Sequence, residues 1–262
     1  MRLEKSGNEI LKIKIGKAKV TLVLGNEEIK ISPDTYTDFR LYAGKILSSD
    51  ELHQIKNRDE IDKLLKSALV SVTKGHPTKK VLITKLEAKG ANKIQIDKII
   101  DILTKSGLID DKQFVNDYLE YAKNKGYGQE RIIQGLYEKG VPGYLIKTLD
   151  FKYEEELKRA TLMLSSLEAK FNRYNYMQRR KRIYDSLMRL GYSSRIAIKV
   201  MEKIKKGDEK IEADALIRDY ALAKRMNFGN NRQKTMNFLL SKGYRYKDII
   251  NIMEEDKIDE MD

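Results

Sequence analysis

The sequence has 262 residues, of which 41% are hydrophobic and 35% charged, and its formal net charge is +13. This length suits two conventional domains or one extended array of repeats, and so much charge without tryptophan favours an elongated protein. The absence of cysteine excludes disulfide bonds and thiolate metal sites, while His53 and His76 are isolated, so we expect no metal and no cofactor. The sequence has no run of 18 apolar residues that would predict a membrane helix, and no signal-peptide core follows Met1. We therefore expect a cytoplasmic protein without a membrane partner.

The N-terminal part of the chain, up to Pro33, alternates apolar and polar side chains as β-strands do. Three segments show this pattern, at residues 10–15, 19–24 and 28–31, and Gly25-Asn26 supplies a turn between the last two. A meander of this size is only marginally stable alone. We therefore expect it to pack against a helix.

From Asp34 onward the pattern is helical, and a Leu-x-x-x-Gly motif recurs four times. Its leucines are 50, 51 and 52 residues apart, at Leu86, Leu136, Leu187 and Leu239. A period this regular indicates a repeat. Each leucine should lie in the last turn of a middle helix, and the glycine after it should end that helix in the left-handed conformation.

Each motif lies between two further predicted helices, so that every repeat contains three. The first helices are predicted at residues 59–73, 111–124, 154–171 and 209–226. The chain then divides into an N-terminal segment with the β meander and a linking helix, three complete units, and a fourth unit with an acidic tail, at 1–57, 58–106, 107–150, 151–206 and 207–262. Because one unit buries its faces poorly alone, neighbours should stack. The predicted fold class is mainly α, with tandem three-helix repeats in an elongated curved array.

The second unit carries a recognisable series of local motifs. Gly107-Leu108-Ile109-Asp110-Asp111 is followed by Phe114, then by Lys125-Gly126-Tyr127-Gly128, and then by Arg131-Ile132-Ile133 and Leu136-Tyr137-Glu138-Lys139-Gly140-Val141. This series resembles the central signature of the RecX family, which regulates the bacterial recombinase RecA. Pro77-Thr78, Leu86 and Gly90 are similar to the family's first helical unit, although the usual arginine-rich stretch before that proline is missing.

The resemblance implies a fold of stacked three-helix units and a regulatory protein without catalytic residues. It also implies binding along the groove of the RecA–DNA filament, which inhibits strand exchange and ATP hydrolysis or destabilises the filament. Family members bind DNA directly, so single-stranded and double-stranded DNA are the further expected partners, and the protein itself is expected to be a monomer. The N-terminal β segment and a fourth unit make this chain a long form.

The excess positive charge is concentrated in the third unit. Residues 151–206 carry 15 basic and 6 acidic residues, a net charge of +9, whereas residues 207–262 carry 10 and 12. A concentrated excess predicts a surface for a polyanion. Tyr174 and Tyr176 lie among these arginines, and tyrosine can stack on unpaired bases. The candidate binding residues for nucleic acid or the filament are Arg131, Arg173, Arg179, Arg180, Arg182, Arg232 and Lys234.

Three of these cations occupy one position of the repeat. Arg131, Arg182 and Lys234 each stand five residues before the repeat leucine, and we call them the cation row. Arg180 and Arg232 stand two residues earlier, about 200° away around a helix, so both sets cannot face one ligand. We expect the cation row to be the one that binds.

Other interpretations remain open from the sequence. The chain could be a helical nucleic-acid-binding module without a recombinase partner, or its basic face could simply be solvated. An enzyme is disfavoured, because no cysteine, histidine cluster or convergent carboxylate set suggests catalysis. Asp110 and Asp111 are predicted to cap a helix. Tyr118, Tyr137 and Tyr144 are predicted to be core residues.

Overall fold

A computed structural model describes residues 8–25, 27–226 and 231–259, with side chains described as far as residue 256. This part of the chain contains one antiparallel sheet, formed by β1 (Ile10–Ile15), β2 (Val20–Leu24) and β3 (Glu28–Ile31) in that order. It also contains thirteen helices, so the predicted mainly α class and the N-terminal meander are confirmed. None of these helices is long and apolar enough to cross a membrane.

The helices follow the sheet in groups that match the repeats. A short helix and a long one come first, α1 (Pro33–Asp38) and α2 (Ser49–Gly75). The four middle helices, which carry the leucine motif, are α3 (Lys79–Glu87), α6 (Gln129–Glu138), α9 (Tyr176–Arg189) and α12 (Arg232–Ser241). The remaining helices are α4 (Lys93–Lys105), α5 (Asp111–Asn124), α7 (Gly143–Lys147), α8 (Tyr153–Phe171), α10 (Ser194–Met201), α11 (Glu209–Arg225) and α13 (Tyr246–Asp259).

The first compact unit of the molecule comprises Met1–Phe114 with Lys139–Val141. One of its cores joins Ile10, Leu22 and Ile31 of the sheet to Ile55 of α2, as expected for a meander that needs a helix. Its other core is that of the first repeat, where Leu82 and Leu86 of α3 pack with side chains of α2 and α4. Ile109, from the start of the second repeat, also belongs to this core.

The second compact unit comprises Val115–Glu138 with Pro142–Asp262. Its largest core is that of the third repeat, where α8, α9 and α10 surround Leu187 and the fully buried Tyr192. The fourth repeat has a smaller core around Leu239 and Ile249. The third and fourth repeats therefore bury their apolar faces within themselves more completely than the sequence led us to expect.

Several boundaries differ from those predicted. The sequence predicts that the first helix of repeat one begins at residue 59. In the structure this helix begins at Ser49, where Ser48 and Glu51 form a reciprocal capping box. Asp110 caps α5 as predicted, since it accepts from the N–H groups of Lys112 and Gln113. Asn26 of the predicted turn and the last residues of the predicted acidic tail lie outside the described residues.

The four motif leucines occupy equivalent buried sites. Each has at most 1% of its surface exposed, and each glycine that follows has a φ between +74° and +88°. In three repeats the N–H after the glycine donates to the leucine carbonyl, at 3.1 Å for Ala91–Leu86, 3.2 Å for Tyr192–Leu187 and 3.3 Å for Tyr244–Leu239. This hydrogen bond defines a Schellman cap, which ends the middle helices in one geometry.

A carboxylate from the next repeat caps the N-terminus of each of the first three middle helices. The main-chain N–H of the first helical residue donates to it, at 2.9 Å for Lys79–Asp111, 2.6 Å for Gln129–Glu156 and 2.7 Å for Tyr176–Glu212. The N–H of Ser32, the cap of α1, donates in the same way to Asp59 of α2, at 2.7 Å. Negative charge is favourable here because helix N-termini carry unpaired N–H groups and partial positive charge.

The same helix starts also contact the C-terminal turn of the next middle helix. A donor at each helix cap meets the carbonyl just before the repeat glycine, at 2.6 Å for Thr78 Oγ1–Lys139 O, 2.8 Å for Gly128 N–Leu190 O and 3.1 Å for Asn175 Nδ2–Lys242 O. The carbonyls at a helix end lack intrahelical partners, so the contact satisfies groups on both sides. We call the carboxylate and carbonyl contacts together the repeat junction.

Asp219 of α11 adds a side-chain network to the third junction. It accepts from Gln178 Nε2 at 3.0 Å, Lys242 Nζ at 2.5 Å and Tyr244 Oη at 2.7 Å. Burial raises the pKa of Asp219, but these hydrogen bonds outweigh it and hold the pKa below its ordinary value. Burial and the neighbouring Asp219 raise the pKa of Tyr244.

Replacing Glu156 by Met should destabilise the second compact unit by about 2 kcal/mol, because the N–H of Gln129 would lose a charged acceptor at a partly buried contact. Glu154→Met is the matched control, since Glu154 is exposed in the same first turn of α8. Urea denaturation followed by circular dichroism measures both. Equal losses from the two variants would show that only the helix dipole matters.

Gly191→Ala should cost more than Gly90→Ala, although both glycines have left-handed φ angles. A Cβ at Gly191 would fall on the main chain of Arg131, whereas one at Gly90 meets nothing within 4 Å. The conformational cost of about 1 kcal/mol is common to both, and overpacking adds about 1–3 kcal/mol at Gly191. Thermal and urea unfolding of the two variants would test this, and equal stability would contradict a tight junction.

Asp219→Asn should lower stability at neutral pH, and the deficit should shrink in acid. The folded-state pKa lies below the unfolded value of about 3.9, so the stabilisation is present above that value and is lost as pH falls through the folded-state pKa. Asp214→Asn, at an exposed position of the same helix, is the control. A deficit unchanged from pH 7 to about pH 3 would argue against this linkage.

Candidate polyanion-binding surface

The cation row lies on the outside of three middle helices. Arg131, Arg182 and Lys234 are all exposed, while the leucine five residues after each is fully buried. Five residues correspond to about 140° of rotation around a helix, so a buried leucine turns this position away from its own core. The repeat thus gives three cations the same position relative to three buried leucines.

Arg131 is held in place by two contacts. Its Nη1 donates to the carbonyl oxygen of Arg189 at 3.1 Å, and its guanidinium lies 4.1 Å from the centre of the Tyr127 ring. The main chain of Arg131 is also the surface on which Gly191 packs. This cation is therefore part of the second repeat junction, and four of its five donor hydrogens can still meet an anion.

Arg182 and Arg173 share one aromatic partner in the third repeat. The guanidinium of Arg182 lies 4.0 Å from the Tyr174 ring centre and that of Arg173 lies 5.1 Å from it. Nη2 of Arg173 also donates to Tyr174 Oη at 3.0 Å. This hydrogen bond and the nearby positive charge of Arg182 lower the pKa of Tyr174 despite partial burial. The structure therefore brings these two predicted binding residues together.

Tyr174 and Tyr176 are covered by arginines instead of presenting open faces to bases. Arg180 donates from Nη1 to Tyr176 Oη at 2.9 Å, and its guanidinium is 5.4 Å from that ring. Arg180 is half-buried, in contrast to exposed Arg182 on the same helix. Arginine held against a ring has lost side-chain freedom before any ligand arrives, so these pairs suit phosphate contacts better than base stacking.

The two remaining candidates have different settings. Arg232 is exposed at the first position of α12, two residues before Lys234. Arg179 is only 7% exposed and donates from Nη2 to the Lys205 carbonyl at 3.2 Å. Arg179 therefore lies inside the third repeat and not on the surface formed by its neighbours. Helical phase would have indicated this burial, since Arg179 stands four residues before the buried Ile183 on the same face of α9, although charged side chains are rarely buried.

Three exposed tyrosines of the second repeat were not among the predicted binding residues. Tyr121, Tyr137 and Tyr144 have 52%, 52% and 67% of their surface exposed. The prediction that Tyr137 and Tyr144 are core residues is wrong, and Tyr118 is half-buried. Helical phase would have found Tyr137, since it directly follows the buried Leu136 and so points about 100° away from it.

Comparison with known proteins gives full-length relatives, although no family model matches the chain. The regulatory protein RecX of Streptococcus agalactiae is 27% identical over 94% of this chain and 99% of its own length. The regulatory protein RecX of Listeria welshimeri is 26% identical, covering 87% and 88%. That of Lactococcus lactis is 29% identical, covering 87% and 89%.

Two solved structures have the same fold. A crystal structure of regulatory protein RecX matches 74% of this chain and 99% of its own, with a TM-score of 0.59 and 20% identity. The crystal structure of RecX from Lactobacillus salivarius matches 56% and 97%, with a TM-score of 0.50 and 21% identity. The sequence similarity extends through nearly the whole length of separate relatives, and solved RecX structures share the fold, so the predicted resemblance to the RecX family is confirmed.

Proposed function

We propose that this protein binds the filament that RecA recombinase forms on single-stranded DNA and slows its ATP hydrolysis and strand exchange. The main observation behind this proposal is the cation row. Its three exposed cations stand at one position of the repeat, each five residues before a buried leucine. A filament of recombinase and DNA presents anionic groups at regular intervals, and repeated cations on stacked units suit such a polymer. The regulatory role of the full-length relatives supports the same assignment.

The third repeat supplies most of the charge for this contact. Its net charge of +9 includes Arg173 and Arg182, whose guanidinium groups share the Tyr174 ring. Held arginines can bind phosphate or carboxylate oxygens in pairs without first losing much conformational entropy. Such groups would engage either the DNA phosphates or an acidic groove of the recombinase.

A second candidate is a DNA-binding module that acts without the recombinase. The arginine–tyrosine pairs favour it, since they would contact phosphates of naked DNA equally well. Fluorescence anisotropy with single-stranded DNA and with the preformed RecA filament, at one salt concentration, separates the two. Tighter binding to the filament, together with slower ATP hydrolysis, supports the regulator. Binding that is equal for both, with unchanged hydrolysis and strand exchange, would leave only the DNA-binding module.

Replacing Arg131, Arg182 and Lys234 together by Glu should weaken filament and DNA binding and reduce inhibition of ATP hydrolysis. For single-stranded DNA, the slope of log affinity against log salt should become shallower by about 2, since each lost phosphate contact contributes about 0.7. Helical content by circular dichroism should change little, because all three side chains are exposed and only Arg131 loses a junction contact, its hydrogen bond to the Arg189 carbonyl.

The matched control is the triple variant with Glu at Lys12, Lys17 and Lys30. These lysines are exposed in and beside the sheet, far from the middle helices in sequence, and their reversal changes the net charge equally. Equal losses of affinity in both triple variants would mean that total charge matters and the repeat position does not.

A further inference from the structure

Arg179 is a buried cation without a counter-ion among the described residues. Its side chain is 93% buried, and of its nitrogens only Nη2 has a partner there, the carbonyl oxygen of Lys205 at 3.2 Å. Nε is fully buried and makes no hydrogen bond in this part of the chain. A guanidinium has five N–H donors, so four hydrogens here await acceptors. Such a group is unfavourable in a protein interior unless an anion compensates it.

A cavity of about 480 Å³ opens beside this guanidinium, between the end of α8 and the segment that joins α10 to α11. Three lysines of that joining segment line it, and two carboxylates lie on its wall. Its charged lining residues are Arg179, Lys203, Lys205, Lys206, Glu168 and Asp208. Positive groups thus outnumber negative ones by four to two, and the volume lies in the range of small-molecule sites.

Two carboxylates in this region, those of Asp208 and Glu212, already have other partners. Asp208 accepts from the N–H of Lys210 as the cap of α11. Glu212 Oε1 accepts from the N–H of Tyr176 at 2.7 Å in the third repeat junction. A Cβ at Gly207 would lie 2.9 Å from that oxygen and 3.2 Å from Arg179 Nη2, so the two groups flank this glycine. Even so, no ion pair joins Arg179 to Glu212 within the described residues.

We propose that this cavity binds the phosphate monoester group of a small ligand or of a DNA 5′ end. Guanidinium and ammonium groups together are the recognised partners of phosphate oxygens. A monoester carries nearly two negative charges at neutral pH, against one for a backbone diester, and so compensates Arg179 and the lysines better. The cavity is lined by the third repeat and by the start of α11, whereas the cation row is proposed to bind an extended polymer, and this site does not depend on the proposed function.

Isothermal titration calorimetry of the full chain with inorganic pyrophosphate and with ATP tests the site, at ionic strength held constant with sodium chloride. We expect saturable binding that weakens at least tenfold in the Lys205→Glu, Lys206→Glu double variant, whose two changes are exposed. The control is Lys158→Glu with Lys181→Glu, which has the same charge change on the exposed faces of α8 and α9 and should bind normally. No saturable binding, or equal weakening in both double variants, would overturn the proposal.

Oligonucleotides with and without a 5′-phosphate identify the source of the phosphate. A preference for the phosphorylated strand that disappears in the Lys205/Lys206 variant assigns a DNA end, and binding of ATP without such a preference assigns a free nucleotide.

Arg179→Met gives an independent measure. Because Arg179 has no counter-ion that the substitution would leave unpaired, the melting temperature of the variant in phosphate-free buffer should be no lower than that of the parent. Pyrophosphate should raise the melting temperature of the parent but not that of the variant. A large fall in melting temperature, with ligand response retained, would mean that Arg179 is purely structural.

Discussion

The repeat junction is the contact on which the rest of the molecule depends. It joins the first N–H group of one middle helix to a carboxylate of the next repeat, and a donor at the cap of that helix to a carbonyl of the next repeat. Both sides would otherwise carry unpaired polar groups and opposed partial charges, so the contact is favourable wherever two repeats meet. Because it fixes where each of the first three middle helices starts, it also fixes where the side chains of those helices project. The outward direction of Arg131 and Arg182 follows from this constraint.

The arginines of the third repeat fall into two groups, those exposed on its surface and one that is buried. On the surface, Arg173 and Arg182 are steadied by an aromatic ring and remain open to solvent. Beneath it, Arg179 keeps most of its donors without acceptors in the described residues. An open pair of cations tolerates many anions at low selectivity, whereas an enclosed cation selects by size and charge. Under the two proposals, one arginine-rich segment of sequence supplies both a general attraction for polyanions and a selective site.

Much of this architecture could be predicted from residue patterns, but not the partners of individual polar groups. Strand alternation located β1 to β3 to within a residue, and the leucine–glycine period located all four middle helices. Asp111 was correctly identified as a capping residue, yet the helix that it caps is α3, 32 residues earlier in the chain. Helical phase would have indicated the burial of Arg179, which shares a face of α9 with Ile183 and Leu187. The partner that a polar group finds in another repeat depends instead on how the repeats meet, and local periodicity carries no information about that.

The chemistry of the junction has a consequence for how such a chain can change over time. Most of its hydrogen bonds are made to main-chain groups of the neighbouring repeat, and the acidic side chain is an aspartate in one junction and a glutamate in two. A unit could therefore be duplicated, deleted or exchanged without matching substitutions in the unit beside it. Modules joined in this way can also drift far apart in sequence while remaining interchangeable in space. Long and short versions of one architecture are the expected outcome of that freedom.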